Sequence, residues 1–286
     1  GYKSLRSVTP PVEKADWSWE VSEDLTEEFV DHKRSCLYEE HCKLTRHLAP
    51  FAGWEMPLWY SSPADEHRAT RIAAAIFDVS HMGVFDVSGS YAMAFLDTVA
   101  SNYVGWLKDG WSQYSYLLDC DGQVIDDILI YRLRAEHYLV VVNAANADKD
   151  WNWLTSVNRG EVILDHTDPA KAVKGLAVLR DLRDPEHGTD QKVDIALQGP
   201  NSRTILQRLA GGGHVRNALQ HLPRTALIET EIAGLPVVVA RTGYTGESVG
   251  YEIFVHPEEA PTLWNAVLET GSDLGVKPAG LAARDS

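Results

Sequence analysis

Two adjacent aspartates, Asp126-Asp127, interrupt the apolar run Val124-Ile125-Asp126-Asp127-Ile128-Leu129-Ile130. Neighbouring strand residues point to opposite faces, so one carboxylate faces outward or into the adjoining turn and the other inward. Aspartate is depleted in strands, and an unpaired buried carboxylate is costly. The cost is escaped if both groups are hydrated on an edge strand. It is also offset if a carboxylate sits in a cleft and accepts a hydrogen bond from an amine substrate. Leu129 and Tyr131 share the parity of Asp127, Tyr114 and Tyr116 lie across the hairpin, and Asn143 ends the following strand. These residues form either a packed sheet face with hydroxyls at its rim or an aromatic-walled slot for a flat, hydrogen-bonding heterocycle.

Further along, Arg241-Thr242-Gly243-Tyr244-Thr245-Gly246-Glu247 follows an apolar run, and Glu252 lies in the next strand. This stretch reads either as a strand-ending turn or as a glycine-permitted backbone bend close to a ligand. Arg284 pairs either with the tail of an anionic ligand or with its neighbour Asp285. His81-Met82 occupies a turn and reads as structural. No second histidine stands at metal spacing, and no Gly-x-Ser-x-Gly, Walker or dinucleotide motif is present. The three cysteines, Cys36, Cys42 and Cys120, fit no zinc template and suit a reducing compartment. No metal is expected.

The elements that must carry these groups are partly visible. Helical patterning covers Leu37 to Arg46, Ala64 to Ala75, Tyr91 to Ala100, Asn146 to Val157, Arg203 to Leu209 and Pro257 to Thr270. Strands are expected at 84–88, 114–118, 124–133, 138–142, 195–197, 226–232, 235–241 and 251–255, the second to fourth of these forming a meander around the turn at Asp121-Gly122. Asp78 to Gly83 reads as a tight polar turn. Residues 166–192 read as a loop or insertion, and 1–36, with Pro10-Pro11 and the acidic run Glu23 to Glu28, as an extension preceding a domain at 37–286. Strands and helices mix without regular alternation, so the class is α+β.

Composition narrows the function. The 286 residues carry 26 basic and 41 acidic side chains, a formal charge of −15. That balance disfavours nucleic acid and anionic membrane surfaces, so an anionic ligand must be met by local cations. No stretch approaches a membrane span, and Gly1 to Lys14 lacks a signal-peptide core.

On these segments the sequence resembles the aminomethyltransferase family, the T-protein of the glycine cleavage system. The matching pieces are Pro50 to Pro57, Phe77 to Gly83, Gly122 to Tyr131, Val142 to Asn146, Ala196 to Pro200, Arg241 to Glu247 and Gly280 to Asp285. Each is short, but their order and spacing are specific. The resemblance implies a cloverleaf of folate-binding α+β lobes with antiparallel sheets. It implies that Asp127, the second carboxylate of the pair and the inward one, lies beside the reactive nitrogens of tetrahydrofolate and assists N5. Met82, Tyr114, Tyr131, Asn143, Tyr244 and Glu252 fall on pocket positions of the family, Glu252 gripping the pterin edge and Arg284 pairing with the glutamate tail. The implied reaction moves a methylene from an aminomethyl group on a lipoylated carrier protein to tetrahydrofolate, releasing ammonia, in the cytoplasm or a mitochondrial matrix. A tetrahydrofolate-dependent demethylase with a small-molecule O-, N- or S-methyl donor uses the same pocket, and non-catalytic folate binders are also relatives. The sequence departs from the family at Asn102-Tyr103, where Asn-Asp is frequent, and at Ser248-Val249-Gly250, one residue longer than usual. The chain starts with Gly1 and stops at Ser286 inside the Ala-Arg-Asp motif, so a fragment without the C-terminal barrel lobe is expected.

Overall fold

A computed structural model describes residues 14–19 and 32–286. Pro10-Pro11 and the run Glu23 to Glu28 lie outside the described residues. In chain order the elements are β1 (Lys33–Arg34), α1 (Tyr38–Leu44), β2 (Leu48–Phe51), β3 (Trp54–Pro57), α2 (Pro63–Ile72), β4 (Ala74–Asp78), β5 (Gly83–Ser88), α3 (Ala92–Val99), β6 (Trp111–Leu118), β7 (Val124–Arg134), β8 (His137–Val142), α4 (Ala147–Arg159), β9 (Val178–Asp181), β10 (Val193–Gln198), α5 (Ser202–Leu209), α6 (Gly213–His221), β11 (Leu227–Ile232), β12 (Leu235–Ala240), β13 (Gly250–Val255), α7 (Ala260–Thr270), β14 (Val276–Ala279) and α8 (Leu281–Arg284). The α+β expectation and the meander both hold. None of the described helices is long and apolar enough to cross a membrane.

Local chemistry explains several boundaries. At the start of α2, Ser62 Oγ accepts the Asp65 N–H at 3.1 Å, Pro63 presets the first turn, and acids occupy the positive helix end. Helix α4 stops at Gly160, whose φ of 72° suits the left-handed cap.

Three expectations are corrected. The helix does not run to Ala75: it ends at Ile72, and Ala74–Asp78 is strand β4, buried throughout. A strand covered on both faces has no polar alternation, so its apolar residues merge with the preceding helical stripe. The stretch 166–192 is not all loop, because Val178–Asp181 forms edge strand β9 against β5. The triple glycine that ends α5 also opens α6 at Gly213.

Two sheets dominate. One has order β11-β12-β13-β10-β4-β14, antiparallel except for the parallel β4–β14 pair; the other, β6-β7-β8-β5-β9, is antiparallel throughout. Helices α5, α6 and α7 cover the outer face of the first, where Ile205, Leu219 and Trp264 pack on Ile195, Val239 and Ile253. Helices α3 and α4 cover the second, with Phe95 and Trp153 on Phe85, Ile130 and Val140. The inner faces meet through Val84, Tyr131, Leu133, Leu139, Val141, Val238 and Phe254. The hairpin β2–β3, with β1, forms a separate small sheet. Residues 14–19 lie against the stretch after α4: Ala15 pairs with Val162, and His166 bridges Asp16 at 3.0 Å and Asp121 at 2.6 Å.

Candidate active site

Where the two inner faces part, at the Asp127 end of β7, they leave a cavity of about 420 Å³. Leu129, Val141 and Met82 supply apolar wall, and the loop between β12 and β13 supplies the opposite side. The volume lies within the usual range for a small-molecule site.

The polar end is built on β7 and β8. Asp127 is exposed to the cavity, and its Oδ2 accepts the Tyr114 hydroxyl at 3.0 Å. Its Oδ1 lies 2.9 Å from Asn143 Nδ2, which is also 2.9 Å from Asp126 Oδ1. The costly buried carboxylate is therefore Asp126, 4% exposed, and not Asp127 as the inward assignment held. Strand parity separates the two faces but cannot say which is open. Here the Asp126 side is roofed by α4, and the Asp127 side opens because the sheets diverge. Asp126 is held by the Asn143 backbone N–H at 2.9 Å and by the side-chain amides of Asn143 and Asn146.

Glu252 faces the cavity from β13 at 3% exposure and accepts the hydroxyls of Tyr131, at 2.6 Å, and Thr242. Burial raises its carboxyl above the ordinary range against the pull of those two donors. Asp194 of β10, on the same face of the sheet, is 1% exposed and pushed well above the ordinary carboxylate range, by burial and then by the Glu252 charge. The longer turn at Ser248-Val249-Gly250 leaves Glu252 on the cavity wall.

Gln198 anchors the far loop. Its side chain is 1% exposed, accepts the Thr245 hydroxyl at 2.9 Å and donates to the carbonyls of Thr242 and Tyr251 at 3.3 Å. Gly243, at φ 153°, and Gly250 both pass so close that a Cβ on either would overlap the Gln198 amide. The glycine bend thus makes room for Gln198. Gly243→Ala is expected to cost ~1–3 kcal/mol of stability in denaturant unfolding, through strained backbone and a displaced amide. An unchanged midpoint would show that the loop yields freely.

Of the residues expected from the sequence, Met82, Tyr114, Asp127, Asn143, Tyr244 and Glu252 line this cavity. Tyr131 does not; it is fully buried behind Glu252 as its hydroxyl donor. Arg284 lies in a neighbouring cleft that shares Tyr244, with its guanidinium 4.6 Å from the Phe51 ring and its Nε donating to Asp285 at 2.9 Å. The cations that do line the cavity are Arg224 and Arg241. Arg241 donates to the Leu222 carbonyl at 2.9 Å and to that of Ser248 at 3.2 Å. Arg224 was missed because nothing in its surroundings, Leu222-Pro223-Arg224-Thr225, marks it in sequence.

Known proteins resemble this chain in sequence and in fold. The model of the GCVT N-terminal domain matches residues 37–286. The aminomethyltransferase of Symbiobacterium thermophilum is 43% identical over 258 residues, covering 89% of this chain and 62% of the relative. That of Desulfitobacterium hafniense is 38% identical over 255 residues, with the same coverages. The crystal structure of the glycine cleavage system aminomethyltransferase T from Bartonella henselae superposes with a TM-score of 0.71 at 32% identity, over 88% of this chain and 61% of that one. The chain thus spans about three fifths of the length of the relatives it matches.

Proposed function

This chain belongs to the GCVT N-terminal domain family, and on that footing we propose that it serves tetrahydrofolate-dependent one-carbon transfer, with an aminomethyl-lipoyl carrier protein as donor. The observation that carries the reading is Asp127, set on the wall of a cavity with each oxygen engaged by one donor, Tyr114 or Asn143. A carboxylate oriented in this way keeps lone pairs directed at an N–H in the cavity.

The cavity suits the acceptor. A flat ring fits between Leu129, Val141 and Met82, Glu252 takes hydrogen bonds from ring N–H groups, and Arg224 and Arg241 oppose an anionic tail in a chain of net charge −15. Bound tetrahydrofolate supplies the nucleophilic nitrogen. Asp127 would accept that nitrogen's N–H and stabilise the positive charge that develops there. Over the whole transfer the carbon gains two C–N bonds to the folate and loses its bonds to the carrier sulfur and to the amine, and the two N–H protons leave with the carrier thiol and ammonia.

The test is turnover with tetrahydrofolate and an aminomethyl-lipoyl carrier, following methylene-tetrahydrofolate and ammonia. Formation of both above the rate without protein is the expected result. Folate binding without product would redirect the assignment to a small methyl donor, and an absence of folate binding would overturn it.

A further inference from the structure

Behind the polar end of the cavity lies a group that the proposed chemistry does not touch. Asp150, in the first turns of α4, is 0% exposed, and no N–H or O–H group of the described residues reaches either of its carboxyl oxygens. Asn146 ties it to a second carboxylate, Asp126 of β7: the Asn146 carbonyl accepts the Asp150 N–H at 2.8 Å, the Asn146 side-chain amide donates to Asp126 Oδ1, and the Asp126 carboxylate acts on the Asp150 carboxyl. The two differ sharply in what surrounds them. Asp126 collects the Asn143 N–H and the amides of Asn143 and Asn146, whereas Asp150 has no donor.

The charges acting on Asp150 are those of Asp126, which faces it from β7, then of Lys149 on α4 itself and of Asp127 on the other face of β7. The Lys149 ammonium is engaged by the Ile125 carbonyl at 2.9 Å. Two adjacent buried carboxylates cannot both ionise, and the one with donors keeps the charge. The N-terminal end of α4 favours an anion, but more weakly than the loss of water from a fully covered carboxyl opposes it. Burial, and then the hydrogen bond and charge of Asp126, push the Asp150 carboxyl up to about 9.

We infer that Asp150 and Asp126 share one proton, carried by Asp150, and that this pair is a positioning device for the cavity. Protonated Asp150 donates to Asp126. Asp126 in turn holds Asn143, and the same Asn143 amide holds Asp127. Asp150 touches no ligand and acts through the three residues in front of it. Its consequence for transfer rests on the proposed function; the shared proton and the positioning do not.

Two measurements on the full chain decide the matter. The folded protein keeps a proton on Asp150 that the unfolded chain releases above about pH 4. Stability is therefore lost steadily as pH rises toward about 9. Asp150→Asn keeps the donor but carries no titrating proton. The ratio of unfolding constants, parent over variant, is expected to rise about tenfold per pH unit between pH 5 and 8. A ratio independent of pH overturns the shared proton. The second measurement is hydrogen exchange of the Asn143 side-chain amide by NMR. It should speed up roughly tenfold in Asp150→Ala and return to the parent rate in Asp150→Asn. Equal rates in all three proteins overturn the positioning role. Neither readout uses folate, so a failed transfer assay strikes only the proposed function.

Discussion

Asp127→Asn is expected to lower turnover by ~10²–10⁴-fold, the usual contribution of a positioned acid or base, while folate affinity stays within about threefold. The asparagine is the same size and can keep both neighbours, its carbonyl oxygen accepting from Asn143 Nδ2 and its amide facing the Tyr114 hydroxyl, which can accept as well as donate. What disappears is the negative charge that stabilises the positive charge developing on the attacking nitrogen. Loss of rate without loss of binding marks an interaction made mainly in the transition state. Stopped or slowed turnover with an unchanged folate Kd is the pattern to look for in steady-state kinetics and equilibrium titration. Turnover equal to the parent's would remove Asp127 from the mechanism. Because Asp127 is open to the cavity, the substitution carries little folding cost, and the two effects separate cleanly.

Asp78→Ala is expected to destabilise the fold by ~3–5 kcal/mol, the cost of removing one partner from a buried charged network. A domain's whole stability is ~5–15 kcal/mol, so the variant is left close to unfolding. Asp78 ends β4 at 6% exposure. One oxygen lies 2.6 Å from Ser35 Oγ and 2.7 Å from His41 Nε2; the other accepts the Ser80 N–H at 2.9 Å and the Ser80 hydroxyl at 2.6 Å. His41 is itself bonded to the Tyr60 hydroxyl at 2.8 Å and packs edge-on to Trp264, so the loss spreads into the core under the larger sheet. Burial works to raise the Asp78 carboxyl, but the His41 hydrogen bond and charge and the serine donors outweigh it and hold the group well below the usual carboxylate range. Its stabilisation is therefore present in full above about pH 4 and is lost as pH falls further. Urea unfolding at neutral pH measures the first effect. An acid titration of stability measures the second, since the parent should lose more stability than the variant below about pH 4. A variant within about 1 kcal/mol of the parent at pH 7 would show that the network is incidental.

The site was legible in sequence to the extent that its residues sit on strands with plain alternation. Asp127, Leu129 and Asn143 could be placed on one face because β7 and β8 alternate and are joined through a short turn. The helices with one apolar stripe, such as α3 and α4, were visible for the same reason. Strand β4 was hidden because a strand buried on both faces has no stripe to read. Arg224 and Gln198 were hidden because their importance comes from residues far away in the chain: Gln198 matters through Gly243 and Gly250, which crowd it from across the sheet.

The amino-acid order by itself determined the α+β class, the meander that carries Asp127, and the acidic balance that leaves any anionic ligand to local arginines. These follow from periodicity and composition, which are properties of neighbours along the chain. Only the tertiary structure decided which aspartate is buried, that Tyr131 serves Glu252 from behind the wall, that Arg224 and Arg241 rather than Arg284 line the cavity, and that Asp150 stands against Asp126. Each depends on how two sheets and a helix meet, and therefore on contacts between residues distant in sequence, where burial and the number of available donors set the charge of a carboxyl group.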